Sequence, residues 1–279
     1  MIQLFACDLD GTLLNEAHEF DEIILNAIDE VIQEKKYFAI ATGRHMHKSH
    51  DDMLKLEKKD IYIICMNGAV IFNPDGEVIY KKELDKIVLK DLLETFPFVN
   101  FECIGMEHVY IRKSREEHLK QFEQRSIWNK AIKKSKIESF LKDCIFDQSN
   151  EQILSQDIMK LNCRVDDITQ KEQLLKYIDN HQNQIVNAPF DSGAFEITMK
   201  GVNKGEAVSW LAQLLKINEE EVAVYGDGGN DLEMLSRFKH SYATSNALDE
   251  AKTAAGNIIG NCKDYAVPDH ILKTLREDK

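Results

Sequence analysis

The chain has 279 residues, of which 43% are hydrophobic and 30% charged, a composition typical of globular proteins and not of disordered or repetitive ones. Its 48 acidic residues outnumber its 35 Lys and Arg, so the average surface repels nucleic acid and anionic membranes. No stretch reaches the roughly 18 apolar residues of a membrane span, and no secretion signal opens the chain, which favours a cytoplasmic protein. The six cysteines form no C-x-x-C pairs, so we expect reduced core thiols.

The first eighty residues alternate short apolar runs with amphipathic segments. Runs at 2–7, 37–42 and 61–66 predict buried strands, and helical spacing predicts helices over 23–32 and 46–57 between them. Strands that are apolar on both faces and separated by helices indicate a parallel sheet covered on both sides. The predicted fold is therefore α/β, with a Rossmann-like three-layer core.

From about Leu84 the alternation stops, and mixed helical and β-rich pieces predict an inserted α+β module over 85–190. The alternating pattern returns with a strand at 195–200, a helix from about 204 and a strand at 221–226. We therefore predict a discontinuous core, 1–84 and 191–279, interrupted by the module.

Unusual polar clusters follow four strands of the predicted core. They are Asp8 and Asp10, Thr42-Gly43-Arg44, Asn67-Gly68, and the segment from Gly226 to Asp231. Because ligands of an open parallel sheet bind beyond the carboxyl ends of its strands, we expect these clusters to meet at one site.

These residues resemble the four motifs of haloacid dehalogenase superfamily phosphatases, in the family's order. The motifs are DLDGT at 8–12, ATGR at 41–44, Lys204 in KGVNKGEAV, and GDGGNDLEML at 226–235. The inserted module resembles, in position and size, the α/β cap of the Cof-type branch, which would close over the site and choose the leaving group. A lone Asp-x-Asp-Gly is more often a turn, so the joint order of four motifs carries this interpretation.

A phosphate dianion approaching two aspartates is repelled unless a cation intervenes, which predicts a hard divalent cation, Mg²⁺. Asp8 and Asp227 would supply carboxylate ligands, and the resemblance adds the backbone carbonyl of Asp10.

The two aspartates of the first motif need opposite protonation states. Asp8 must be ionised to attack phosphorus and form an aspartyl-phosphate, whereas Asp10 must carry a proton for the leaving group and then activate water. We therefore expect the pKa of Asp10 to rise from about 3.9 to roughly 6–7.

Donors for the transferring phosphoryl group are also predicted. They are the Thr42 hydroxyl, the Lys204 ammonium, and backbone N–H groups near Leu9 and Gly43. By resemblance, Asn230 contacts phosphate or metal-bound water, and Asp231 either assists Mg²⁺ or orients Lys204. Arg44 fits a structural salt bridge and a substrate contact equally well.

The sequence thus predicts a Mg²⁺-dependent phosphatase of small phosphorylated metabolites, such as sugar or cofactor phosphates. Alternatives are a phosphomutase, a dedicated sugar-phosphate phosphatase, or a non-catalytic phosphate sensor. The chain departs from the family near its C-terminus, where a glycine usually precedes Asn-Ala and a Gly-Val pair follows. Ser245 precedes Asn246, and Tyr265-Ala266 precedes Val267, which puts the substrate fit around Asn246 and Tyr265 in doubt.

Overall fold

A computed structural model of the chain describes residues 1–45, 56, 59–124, 140–189 and 193–278. The described residues form two compact units. The first is drawn from Met1–Arg44, Asp52–Lys81 and Gly201–Lys279, and the second from Lys82–Lys200 together with His45. The helix predicted over 46–57 lies outside the described residues, except for Leu56.

The strands, in chain order, are β1 (Leu4–Cys7), β2 (Tyr37–Ala41), β3 (Tyr62–Cys65), β4 (Val70–Phe72), β5 (Val78–Lys81), β6 (Glu102–Gly105), β7 (Val109–Ile111), β8 (Cys144–Ile145), β9 (Ile158–Arg164), β10 (Ile185–Asn187), β11 (Ala194–Met199), β12 (Val222–Gly226), β13 (His240–Ala243) and β14 (Asn257–Ile258). The α-helices are α1 (Glu22–Gln33), α2 (Lys86–Thr95), α3 (Arg115–Gln124), α4 (Asn150–Leu154), α5 (Ile168–Asn180), α6 (Lys204–Leu214), α7 (Leu232–Arg237), α8 (Asp249–Ala254) and α9 (Ala266–Glu277).

The first unit is built on an eight-stranded sheet of order β14-β13-β12-β1-β2-β3-β4-β5. Strands β14 to β3 run parallel, and β4 and β5 form an antiparallel edge. All four residues of the central strand β1 are buried, because helices cover the sheet on both sides. Leu4 and Ala6 pack with α6 and α7, while α1 and α9 pack against each other on the opposite side. The predicted α/β fold with a mainly parallel sheet is confirmed.

The second unit contains a six-stranded sheet of order β10-β11-β9-β6-β7-β8. Its pairs are antiparallel except for β7 with β8. Its core lies between this sheet and helices that include α2 and α5, where Leu89 and Leu174 are fully buried.

One prediction about this region is wrong. The strand predicted at 195–200 was assigned to the alternating core, but β11 pairs with β9 in the second unit, with Phe195 opposite Cys163. Phe195 and Ile197 face the second core, and strand alternation looks the same whichever sheet a strand joins. The predicted boundary at 190–191 lies outside the described residues, and the second unit extends to Lys200.

Two further expectations concern the whole chain. All six cysteines are free thiols, of which Cys144 and Cys262 are only half-buried and the other four are buried. Within the described ranges, no helix combines the length and the apolar character that crossing a membrane requires.

Candidate active site

Hydrogen bonds join the carboxyl ends of four parallel strands of the first unit. Thr12, after β1, donates from Oγ1 to Asp227 Oδ1 after β12 at 2.9 Å. Asn230 Nδ2 donates to Asn67 Oδ1 after β3 at 3.1 Å, and the Asn67 backbone N–H donates to the Thr42 carbonyl after β2. The four polar clusters predicted from the sequence therefore lie together at one edge of the sheet.

Gly11 shapes the turn that separates the two aspartates of the first motif. Its φ of +80° lies in the left-handed region, and a Cβ at this position would stand 2.3 Å from Asp227 Oδ2. Only glycine satisfies both the conformation and the close approach. The turn Leu9–Leu13 can therefore pass directly beside the carboxylate of Asp227.

Lys204 is brought to the site by the start of helix α6. The Asn203 side chain caps the helix by accepting from the Glu206 N–H at 2.8 Å, which makes Lys204 the first helical residue. Gly68, with φ +100°, packs against the same turn, where a Cβ would meet the Asn203 carbonyl oxygen at 2.4 Å. The Lys204 side chain is fully buried as a result.

The Lys204 ammonium binds two carboxylates at once. Its Nζ donates to Asp8 Oδ1 and to Asp231 Oδ1, both at 2.6 Å. Burial by itself would lower the pKa of Lys204, but the charges of Asp231 and Asp8 outweigh it and raise that pKa above its ordinary value. Lys204 is therefore a fixed cation between two acids.

Three aspartates cluster around this cation. Single carboxylate oxygens of Asp8, Asp227 and Asp231 all lie within 4.8 Å of one another. Burial, followed by repulsion from Asp231 and Asp227, raises the pKa of Asp8 well above its ordinary value. Burial and the charge of Asp231 also raise the pKa of Asp227 to about 6. One lysine cannot balance three acids, so the cluster has the surplus negative charge and the oxygen donors that suit a metal cation.

The hydrogen bonds of the cluster distinguish its members. Asp231 Oδ1 accepts from Lys204, and its Oδ2 accepts from the N–H groups of Asp227 and Gly228, both at 2.9 Å. Of the two roles predicted for Asp231, these contacts favour the orientation of Lys204. Asp8 and Asp227 each use Oδ1 for the hydrogen bonds from Lys204 and Thr12, and each has a second carboxylate oxygen to offer a cation.

Asp10 differs from its neighbours because it lies at the exposed rim. Arg44 donates from Nε to its Oδ2 at 2.7 Å and from Nη2 to its Oδ1 at 2.5 Å, and His18 Nδ1 lies 3.2 Å from Oδ1. Partial loss of hydration beside the turn would raise the pKa of Asp10, but the His18 hydrogen bond and the charge of Arg44 outweigh it and hold that pKa well below its usual range. The expected rise of this pKa is therefore wrong for the arrangement in the structure. The sequence did not reveal that Arg44 and His18 converge on Asp10.

The other predicted residues lie at the same edge. Thr42 is buried, and its hydroxyl accepts from the Arg44 N–H at 3.1 Å, with Gly43 half-buried between them. Leu9 opens the turn after Asp8 and is buried. Their contacts with phosphate stay predictions. For Arg44, the salt bridge is the predicted role that the structure contains, and its partner is Asp10.

Several residues of the site were absent from the predicted set. Thr12 belongs to the first motif, and Asn67 was noted at a strand end, so both carried a signal in the sequence. Asn246 donates to the Gly11 carbonyl at 2.7 Å and accepts from the Cys262 N–H at 3.0 Å, so it fixes the turn behind Asp10. For His18, no sequence pattern predicted the contact.

Comparison with known proteins tests the family that the four motifs predict. A family model for haloacid dehalogenase-like hydrolases matches residues 5–271. A protein of Buchnera aphidicola subsp. Baizongia pistaciae, whose name ascribes phosphatase activity to it, is 28% identical to this chain. The alignment covers 98% of this chain and 98% of the relative. The HMP-PP phosphatase of Serratia proteamaculans is 24% identical, over 99% of this chain and 96% of its own.

Among solved structures, a haloacid dehalogenase-like hydrolase from B. subtilis superposes with a TM-score of 0.83. It shares 23% identity, over 97% of this chain and 99% of its own, so this likeness concerns the fold. The family model spans nearly the whole chain and includes all four motifs. The chain therefore belongs to the haloacid dehalogenase-like hydrolases, the family that its motifs predicted.

Proposed function

We propose that this hydrolase is a Mg²⁺-dependent phosphatase that acts on small phosphate monoesters through an aspartyl-phosphate on Asp8. One observation carries the proposal: the buried Asp8 carboxylate accepts a 2.6 Å hydrogen bond from Lys204 beside two further aspartates. A nucleophile, a fixed cation and a surplus of carboxylates are what phosphoryl transfer to a carboxylate needs. The phosphatase names of the relatives support the same reaction.

The residues present fit the predicted metal. Asp8 and Asp227 would hold Mg²⁺ through carboxylate oxygens, together with the Asp10 backbone carbonyl that the family resemblance implies. When bound, Mg²⁺ supplies positive charge that lowers the pKa values of these acids and offsets the charge of the phosphate.

The first half-reaction uses both aspartates of the DLDGT motif. An Asp8 oxygen forms a bond to phosphorus while the bond from phosphorus to the ester oxygen breaks, and the leaving oxygen takes a proton from Asp10. Lys204 holds the Asp8 carboxylate in place and stabilises charge on the transferring group.

The second half-reaction restores the enzyme. Water attacks phosphorus and gives a proton to Asp10, the bond between phosphorus and Asp8 breaks, and inorganic phosphate leaves. Asp10 is ionised and bound by Arg44 in the structure, which is the state in which it can accept that proton. To donate a proton, it must separate from Arg44 and turn towards the leaving group.

The remaining assignments are supported by position alone. Thr42, Gly43, Leu9 and Asn230 lie at the strand ends where the phosphate would bind, and they keep their predicted roles as its donors. We keep the prediction that residues 85–190 act as a cap that selects the leaving group. The free cysteines agree with a cytoplasmic location.

The experiment is a phosphate-release assay on the purified full-length protein. The substrates are an aryl phosphate and a panel of sugar, nucleotide and cofactor phosphates, each with Mg²⁺ and with chelator. We expect turnover only with the metal. A folded, metal-loaded protein that hydrolyses none of them would contradict the proposal and favour a phosphate sensor.

A further inference from the structure

The loop after the first motif holds His18 in a conformation that few residues adopt. Its φ is 56°, in the left-handed region, and its N–H donates to the Asn15 carbonyl at 2.9 Å. The Asn15 side chain reinforces the turn, because its Oδ1 accepts from the N–H groups of Ala17 and Glu19, both at 3.0 Å. This conformation costs a non-glycine residue roughly 1–2 kcal/mol, so the surrounding contacts must impose it.

A second set of hydrogen bonds anchors that loop to the C-terminal part of the chain. The Tyr265 hydroxyl donates to Asp21 Oδ2 at 2.7 Å, and Asn15 Nδ2 donates to the same oxygen at 2.9 Å. Asp21 is itself fixed, because its Oδ1 caps helix α1 by accepting from Ile23 and Ile24. Tyr265, Asp21 and Asn15 therefore form a chain of hydrogen bonds, named here the loop brace, that ends at His18.

Tyr265 is also left-handed, with φ 58°, just before helix α9. Tyr265 lies in the segment where the sequence departs from the Gly-Val pair typical of the family. The departure keeps a backbone conformation that suits glycine, and it adds a hydroxyl that reaches Asp21. Tyr265 thus supplies the hydroxyl with which the loop brace begins.

We propose that His18 is a positioning residue for Asp10 and that the loop brace holds His18 in place. The inference rests on the proposed function, in which the Asp10 carboxyl moves between Arg44 and the leaving group. His18 Nδ1 lies 3.2 Å from Asp10 Oδ1, the oxygen that also accepts from Arg44 Nη2. An imidazole fixed beside Oδ1 limits the orientations that the Asp10 carboxyl can adopt when it moves back towards Arg44 between the two half-reactions.

His18→Gly removes the imidazole but keeps the backbone conformation, because glycine readily adopts the left-handed region. In single-turnover experiments, we expect the rate of leaving-group release to fall roughly tenfold for an alkyl phosphate and to change little for an aryl phosphate, because only the poor leaving group needs the Asp10 proton in that step. His18→Asn should restore most of the rate, since asparagine tolerates the same backbone and its amide nitrogen can replace Nδ1. Lys216→Gly, at a left-handed position beyond the other end of α6, is the control and should leave both rates unchanged.

Tyr265→Phe removes only the hydroxyl of the loop brace. We expect a smaller loss in the same direction, roughly two- to fivefold, and no further loss when it is combined with His18→Gly. Equal losses in leaving-group release for both substrates in His18→Gly, or no rescue by asparagine, would overturn the role of His18. A full additional loss in the double variant would overturn the role of the loop brace.

A spectroscopic readout separates this inference from the proposed function. If the wild-type protein lacks Mg²⁺-dependent turnover, the proposed function fails, but the imidazole ¹⁵N resonances of His18 still report its contacts. We expect them to shift in Asp10→Asn and in Tyr265→Phe. Resonances unchanged in both variants would overturn the inference even in an active enzyme.

Discussion

The site has an inner half and an outer half, and each contains one aspartate of the same motif bound to a cation. In the inner half, Asp8, Lys204 and Asp231 are almost completely buried, and Lys204 binds both acids at 2.6 Å. In the outer half, Asp10 is 45% exposed, Arg44 22% and His18 57%. Asp8 and Asp10 are only two positions apart in the sequence, yet one belongs to a buried ion network and the other to an exposed one.

The difference in burial matches the different tasks proposed for Asp8 and Asp10. Breaking a buried ion pair leaves an uncompensated charge and costs several kcal/mol, so the inner half is fixed. An exposed pair is screened by water and contributes little, so the outer half can open at small cost. In the proposed mechanism, Asp8 must stay in position as the nucleophile, whereas Asp10 must move and exchange protons as the acid.

The inner half is tested most strongly by Asp8→Asn, which removes the proposed nucleophile. We expect turnover to fall by at least about 10⁴-fold, while Mg²⁺-dependent binding of inorganic phosphate persists. Steady-state assays and calorimetry measure the two quantities. Asp249→Asn, an exposed acid in α8, serves as the control with unchanged turnover. Substantial residual turnover of Asp8→Asn would contradict the covalent mechanism.

The outer half is tested by Asp10→Asn, which preserves the size of the side chain and removes the proposed proton carrier. We expect the rate of leaving-group release, which is the first half-reaction, to fall by roughly 10²- to 10⁴-fold for alkyl phosphates and by less for aryl phosphates, because aryl leaving groups need less protonation. Single-turnover kinetics measure that step for each substrate. Equal losses would count against Asp10 as the acid.

The boundary between the halves is tested by Gly11→Ala, with Gly76→Ala as a matched control. Both glycines have φ +80°, but only at Gly11 does a Cβ collide with Asp227, and nothing lies within 4 Å at Gly76. Both variants should lose roughly 1 kcal/mol of stability from the backbone. Gly11→Ala should also lose Mg²⁺ affinity and about 10²-fold in turnover. Similar turnover in the two variants would refute the close approach.

The smallest effect concerns the charge of the acid cluster. Without the metal, the pKa of Asp227 is about 6 in the folded protein, above the value near 3.9 in the unfolded chain. The protonated carboxyl therefore contributes its full stabilisation below about pH 4, and this contribution is lost as the pH rises through 6. At about pH 8, the free energy of unfolding of Asp227→Asn should therefore exceed that of the wild type by roughly 1–3 kcal/mol, and urea titration measures it. Near pH 4 the two proteins should differ little. The same difference at both values would contradict the raised pKa. Mg²⁺ should reverse the order at about pH 8.

Sequence reasoning predicted the inner half better than the outer half for a physical reason. Asp8, Lys204 and Asp227 follow strand ends or open a helix, and periodicity locates these elements. The contact of His18 with Asp10 depends on a left-handed turn and on a tyrosine 247 residues further along the chain, which no local pattern encodes. Strand β11 was misassigned because alternation identifies a strand but does not identify its partner.

In the proposed mechanism, the phosphoryl group is transferred to Asp8, and Asp10 then activates the water that releases it. Asp10→Asn mixed with an aryl phosphate and Mg²⁺ should accumulate phosphorylated enzyme, because the aryl group leaves without the acid while hydrolysis of the intermediate is slowed. Acid quenching followed by peptide mass spectrometry should place the phosphoryl group on Asp8 and find none in Asp8→Asn. Turnover without a phosphorylated peptide, or a phosphoryl group on another residue, would contradict covalent transfer to Asp8.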